Sequence, residues 1–453
     1  MPPRPNSRDT WYAVFVSDPA RRHNNTAIGV PSVARSVARK LRRRAIGATP
    51  LAPAGPGVLS DSMDPTDAPR RQDAPTLPST ASSARVGSTT ATRPRTPPKT
   101  PPLPDDPFVG WDAGPDPTIA LCRYDVEGYW ELRRNVAEIS IGGSSQCTLS
   151  IPGHGLSARH CLLQPRAHKL RLYDLDSTHG TFVRGRRLEG SADLSPGDMF
   201  TARPITLVCL NEEMRRHRPT LFEILGTGAV RSPDWVMVQA ATGSGPMLLT
   251  GEAGCDLNRL AQAIHAMSLR RNQSSVEVAT VPEERSAQVA LVQRAARTSL
   301  ILPLGDEGAP LDPNFAAMLF DKSFGVRLLA LASSPDVARR ALSDARVELM
   351  QHVPVWPLAY RSGEIVDLID RRFGESASPL RAADLTSANQ DALKRHDWPG
   401  NFDELREIAD SIIAHAMLGG LRPAAESLGI SHHKLARRLE RVGLQFPLFR
   451  RDE

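Results

Sequence analysis

Six side chains that could grip nucleic acid fall within ten residues near the end of this 453-residue chain: His432, His433, Lys434, Arg437, Arg438 and Arg441. On a helix they share one side, while Leu435, Leu439 and Val442 recur at i, i+4 and i+7 on the other. The apolar stripe would be buried and the cationic side would face outward. Residues 421–444 hold five Lys or Arg against two acids. Such a face suits the phosphates and base edges of a DNA major groove. His432, His433 and Arg437 are expected nearer base edges, with Lys434, Arg438 and Arg441 nearer phosphates. A shorter helix must hold this one in place. Ala425, Leu428 and Ile430 are its inward residues, Gly429 makes the turn, and Ser431 is positioned to cap the second helix.

The rest of the chain narrows the class of protein. The chain carries 56 Lys and Arg against 50 Asp and Glu. Residues 1–110 hold 16 of the basic and 8 of the acidic side chains, so the basic excess belongs to that arm. The same arm carries 19 of the 39 prolines and too little apolar surface to offset the entropy of ordering it. It is expected to be disordered over 1–112. Its basic run from Arg35 to Arg44 reads as solvated charge. Thr76, Thr96 and Thr100, the last two followed by proline, are kinase candidates or plain linker. The five cysteines, Cys122, Cys147, Cys161, Cys209 and Cys255, lack metal-site spacing and fit reduced thiols in a cytoplasmic protein. No metal site is expected. No stretch of about 18 apolar residues suggests a membrane span, and the N-terminus lacks a signal peptide's apolar segment.

From Pro117 short apolar runs alternate with turn residues: Ile119–Cys122, Ala137–Ile141, Cys147–Ile151, Cys161–Leu163, Leu170–Tyr173, Thr181–Val183 and Ile205–Leu210. That spacing predicts a β-sandwich over 117–211. Residues 211–220 are polar and read as a linker. Over 221–375 helical patterns alternate with buried strand runs at Met247–Leu249, Ser299–Leu302 and Arg327–Leu331, an α/β pattern. Helix alone is expected afterwards, as a lid over 376–417 and the helix pair over 418–450. The fold class is therefore multidomain: β-sandwich, α/β domain with helical lid, and all-α tail.

Residues 118–210 resemble a forkhead-associated (FHA) domain. Ile141-Gly142, Ser157-Ala158-Arg159-His160, Asp174, Ser177-Thr178-His179-Gly180-Thr181, Gly185 and Gly197-Asp198 come in the family's order. The resemblance implies a phosphothreonine pocket formed by loops at one end of the sandwich. Ser157 and Thr178 match phosphate-contacting hydroxyls. Arg159 lies near the pocket, and His179 replaces the asparagine that holds the peptide backbone. Gly143 stands where the family has a phosphate-holding arginine. His160 reads as a loop brace and Gly180 as a turn residue of unusual backbone angle. The ligand implied is a phosphorylated protein or the chain's own phosphorylated arm.

Residues 221–415 resemble the AAA+ domain of sigma-54-dependent transcriptional activators, beginning at Met247-Leu248-Leu249-Thr250-Gly251-Glu252-Ala253-Gly254. In the family a strand, a glycine turn and a helix cradle phosphates there. This chain keeps Gly251, Glu252 and Gly254, but its lysine position is Leu257, and Asp256 brings a negative charge toward a triphosphate's place. Pro303-Leu304 stand where the family has Asp-Glu, with Asp306 and Glu307 out of register. Trp398-Pro399-Gly400-Asn401 is intact, yet the nucleotide-sensing arginine is Asp403. Arg346 matches an inter-subunit finger. The sigma-contacting insertion is absent between roughly Ala266 and Arg297. The resemblance thus implies a body that binds no ATP and is not an enzyme. The tail resembles a Fis-type helix-turn-helix, implying double-stranded DNA as partner. Asn401–Met417 is a dimer contact in that reading, and homodimers or higher oligomers are expected. Two rival readings remain: an ATP-driven sigma-54 activator, and a phosphopeptide adaptor without DNA binding.

Overall fold

The computed structural model describes residues 117–132, 136–166, 169–305 and 307–450. The arm over 1–112, with Arg35 to Arg44 and Thr76, Thr96 and Thr100, lies outside the described residues, as does Asp306.

Eleven short strands build the sandwich. One sheet runs β2(Trp130–Glu131)-β1(Ala120–Arg123)-β11(Ile205–Leu210)-β10(Met199–Ala202)-β7(Thr181–Val183)-β8(Arg186–Arg187). The other runs β4(Leu149–Ser150)-β3(Ile139–Gly142)-β5(Cys161–Arg166)-β6(Lys169–Asp174)-β9(Ser191–Leu194). Alternation divides the first sheet between two cores. Leu121, Leu207 and Cys209 face the second sheet with Ile141, Leu163 and Leu172. Ala120, Cys122, Val208 and Leu210 face the opposite way, onto helices. β1 and β11 are therefore buried on both faces, which is why they read as continuous apolar runs.

Those helices are α1(Glu212–Leu225) and α2(Pro233–Thr242). The expected linker over 211–220 is instead most of α1. Asn211 caps it by accepting from Met214 N at 2.8 Å, and its polar residues pair along the helix, Arg215 with Glu212 and Arg216 with Glu213. Its other side is buried through Met214, Leu221, Phe222, Ile224 and Leu225. The segment looked like a linker because one of its buried residues is Arg218.

The α/β body has a five-stranded, all-parallel sheet in the order β13(Val276–Glu277)-β14(Ser299–Pro303)-β15(Arg327–Ala332)-β12(Met247–Thr250)-β16(Gln351–Pro354). Helices α3(Leu257–Met267), α4(Arg285–Arg294), α5(Pro313–Phe320), α6(Pro335–Leu342) and α7(Asp344–Glu348) follow its strands. Arg327 is buried within it, with no acid paired to it among the described residues. Its guanidinium donates to the carbonyls of Ala240 and Gln239, the negative end of α2.

The lid and the tail form one unit. α8(Ile365–Glu375), α9(Ser387–Arg395), α10(Asn401–Leu418), α11(Leu421–Ser427) and α12(His432–Arg441) share a core in which Phe373, Trp398, Phe402 and Ile408 meet Ala425, Leu435, Leu439 and Leu448. Gly419 and Gly420, with φ of 77° and 152°, turn the chain back after α10. Asn389 then clasps the returning tail, donating to the carbonyls of Gln445 and Leu448 and accepting from Gln445 N.

Buried imidazoles give this fold a pH dependence. His160 accepts or donates only within the sandwich, at Gly180 O and Ser157 N. His265 is held between Ser299 Oγ and Gln273 O. Burial pushes both below the ordinary histidine range, as it does His217, His352 and His415. The unfolded chain takes up protons near about pH 6.5, while the folded one resists until lower pH. Stability is then full above that value and is lost as pH falls through the depressed folded values. Urea melts should show a lower midpoint at pH 5.5 than at pH 7.5; an equal or higher midpoint at the lower pH would contradict this.

Candidate functional sites

At one end of the sandwich, the loops β4–β5 and β6–β7 bring Ser157 and Thr178 together. Ser157 Oγ donates to Thr178 Oγ1 at 3.2 Å and accepts from Thr178 N at 2.9 Å. Each loop is braced from behind. Asp174 accepts from Ser177 Oγ at 2.6 Å and Thr181 Oγ1 at 2.5 Å, fixing the turn that carries Thr178. Gly180 takes φ +75°, a backbone that favours glycine. His160 is fully buried beneath the loops and bridges them through Ser157 N and Gly180 O. Arg159 and His179 are exposed at the rim. Gly143 donates its N–H to Ser157 O at 2.9 Å, so the backbone at that position supports the pocket although it offers no side chain.

The glycine loop of the body lies between β12 and α3, where the resemblance put it. Its surroundings are not those of an open cradle. A Cβ on Gly254 would sit 2.3 Å from the Gly400 carbonyl. Phe402 N donates to Gly254 O at 3.0 Å, and Asn401 Nδ2 to Ala253 O at 2.9 Å. The lid's Trp-Pro-Gly-Asn turn thus rests directly on the loop. Gly251 packs near Leu257 and Val355, and Glu252 is exposed.

Asp256 differs from expectation. Its carboxylate accepts from both terminal nitrogens of Arg406, at 2.6 and 2.7 Å, and lies 3.5 Å from Arg259. It is a neutralised link to the lid rather than a free negative charge. Asp403, read as a lost sensor, pairs with the same Arg406 at 2.7 Å. Sequence reading missed Arg406; its i, i+3 spacing from Asp403 was the available signal. Around this link Arg259 is held by Glu223 at 2.8 Å and Arg372 by Asp410 at 2.9 Å. The crevice among them, bounded by α1, α3, α8 and α10, encloses about 20 Å³, room for about one water molecule.

The tail carries its cationic side outward. Leu435 and Leu439 are wholly buried and Val442 nearly so. Ser431 Oγ accepts from Lys434 N at 3.2 Å, and Gly429 takes φ +67°. His432, His433, Lys434 and Arg437 are exposed. Two of the predicted phosphate contacts are engaged by acids of the same chain. Arg438 is only 15% exposed and pairs with Glu407 at 2.9 Å. Arg441 is open but pairs with Glu404 at 3.1 Å. Both acids are on α10, which the short Gly419-Gly420 turn sets directly behind α12. The same packing turns one side of the helix expected as a dimer contact, Asn401–Met417, into the chain's own core, and leaves Asp403 and Glu407 exposed on the other. Phe402, Leu405, Ile408, Ala409 and Ile412 are already buried in the chain's own core.

Comparison with known proteins agrees with parts of this picture. The family model described as "FHA domain" matches residues 139–202. The alginate biosynthesis transcriptional regulatory protein AlgB of Pseudomonas aeruginosa is 26% identical over 293 residues, covering 54% of this chain and 61% of AlgB. The chain thus spans about three-fifths of the length of this curated relative. A solved FHA domain studied for phosphothreonine-dependent interactions is 25% identical, covering 20% of this chain and 93% of that one, with a TM-score of 0.19. NtrX from Brucella abortus, solved in complex with ATP, is 18% identical, covering 51% of this chain and 68% of its own, with a TM-score of 0.32.

Proposed function

We propose that this chain, in which an FHA domain is joined to a region homologous to bacterial transcriptional regulators, is a sequence-specific DNA-binding regulator that reads a phosphothreonine-bearing protein partner and acts without hydrolysing ATP. The observation that carries this reading is the outward side of α12, where His432, His433, Lys434 and Arg437 are exposed while Leu435 and Leu439 anchor the helix from behind. Such a helix can enter a major groove N-terminus first, with its positive end toward phosphate. The paired hydroxyls of Ser157 and Thr178 support the phosphopeptide part, since a phosphate requires convergent donors on fixed loops.

The residues of the glycine loop do not fit a nucleoside triphosphate. Leu257 replaces the cation, Asp256 is taken up by Arg406, and the turn at Gly400 lies against Gly254. Pro303 and Leu304 offer no carboxylate to a metal. No step of a mechanism is therefore assigned to ATP. The body acts instead as a rigid connector. The β1–β2 turn of the sandwich reaches the lid through the ion pair of Glu127 with Arg371, and the lid shares its core with the DNA-facing helices. A partner docked on the sandwich is thereby carried in fixed relation to the operator. Cytoplasmic location follows from that reading; among the described residues no helix is long and apolar enough to cross a membrane.

Genome-wide DNA capture with the purified chain, run with and without ATP and magnesium, tests the proposal. The expected result is a limited set of shared sites, captured equally in both conditions. Capture that requires ATP would favour the ATP-driven activator, and failure to enrich any site would favour an adaptor.

A further inference from the structure

Position 143 offers the phosphopeptide pocket no cation, yet a guanidinium lies against the β6–β7 loop that carries Thr178. β7 and β8 are joined by Arg184 and Gly185, with φ of 50° and 77°. Two successive positive φ values make the tight turn whose twist matches that of paired strands. This fixes the register, with Phe182 opposite Arg187 and Val183 opposite Arg186. Phe182 is occupied by Arg203, whose guanidinium carbon lies 4.2 Å from the ring centre. Arg187 leans instead over Gly180. A Cβ built on that glycine would lie 2.9 Å from Arg187 Nε and 3.3 Å from its guanidinium carbon. Gly180 directly follows His179 and is two residues from Thr178. Its positive φ of 75° favours glycine there, and the absence of a side chain lets the Arg187 guanidinium lie against the loop. Arg187 is exposed, and among the described residues no carboxylate engages it.

We propose that Arg187 supplies the guanidinium that holds the phosphate of a phosphothreonine peptide, in place of the side chain missing at Gly143. The inference rests on the phosphopeptide reading above. The paired hydroxyls and loop N–H groups supply neutral donors, but a phosphate carries about −1.5 to −2 charges at neutral pH and is held most strongly by charge-assisted bonds. Arg159 stands on the β4–β5 loop beside Ser157; Arg187 completes the pocket from the β7–β8 side. Resting on the Gly180 backbone, it is partly ordered before the ligand arrives, which lowers the entropy cost of binding.

The test uses the full chain and a degenerate library of phosphothreonine peptides, each paired with its unphosphorylated form. The tightest peptide is then titrated by fluorescence anisotropy. R187A is expected to weaken binding by about ten-fold or more, with the melting temperature unchanged because the side chain is exposed. R187K should fall between, and G143R placed in the R187A chain should recover affinity. R186A, the exposed neighbour, should bind as the wild type does. A wild type that binds with R187A equal to it overturns the role of Arg187 alone. A wild type that prefers no phosphorylated peptide overturns both that role and the phosphopeptide reading.

Discussion

Replacing Arg218 by methionine is expected to cost about 3–5 kcal/mol of stability, the range for breaking a buried ion pair by removing one partner. Arg218 is 3% exposed and Asp234 is fully buried. Nε donates to Asp234 Oδ1 at 2.6 Å and Nη2 to Oδ2 at 2.8 Å. The remaining donors reach the carbonyls of Gly128 at 2.7 Å and Val126 at 2.5 Å. Asp125 N donates to Asp234 as well, at 2.7 Å. One guanidinium therefore ties α1 and α2 to the β1–β2 turn. R218M leaves a carboxylate buried with only a backbone N–H, and strands two carbonyls. The double variant R218M/D234L removes the stranded charge and should regain a large part of the loss. Since this cluster joins the sandwich to the helices, urea unfolding of R218M should also broaden or separate into two steps. A single variant as stable as the wild type, with one sharp transition, would show that the cluster does not couple the two regions.

Much of this architecture was legible because its strands alternate or run apolar in ways that only two packed layers explain. β1, β3, β4, β5, β6, β7 and β11 all lie within or beside the apolar runs read from sequence. Four other sandwich strands gave no such signal. β8 is two exposed arginines, β9 buries only Leu194, and β2 and β10 are short and half-exposed. They are held by neighbours' hydrogen bonds, which no local pattern encodes. β16 begins with glutamine and histidine and owes its place to parallel pairing with β12. The candidate sites divide in the same way. The pairing of Ser157 with Thr178 could be anticipated from motif order, and the anchored stripe of α12 from periodicity. The partners of Asp256, Arg438 and Arg441 could not. Each is set by α10, whose closeness to the glycine loop and to α12 is a tertiary fact.

That closeness bears directly on DNA binding. The four Lys and Arg side chains of α12 suggest a large electrostatic footprint, but Glu407 and Glu404 sit against Arg438 and Arg441. A cation already paired releases fewer counterions from DNA than a free one. Lys434 and Arg437 have no such partner among the described residues, and both are exposed. R437A, if the residue reads a base edge, should cost about 1–3 kcal/mol and relax preference at one position of the site. K434A should weaken all sequences alike and reduce the slope of log K against log salt by about 1. R438A should leave that slope nearly unchanged while lowering the melting temperature, because its guanidinium braces α12 on Glu407 and Ser411 of α10. Measuring affinity for one captured site across a salt series separates these cases. If R438A reduced the slope as much as K434A, the ion pair with Glu407 must open on DNA, and α12 would present all of its cations to the groove.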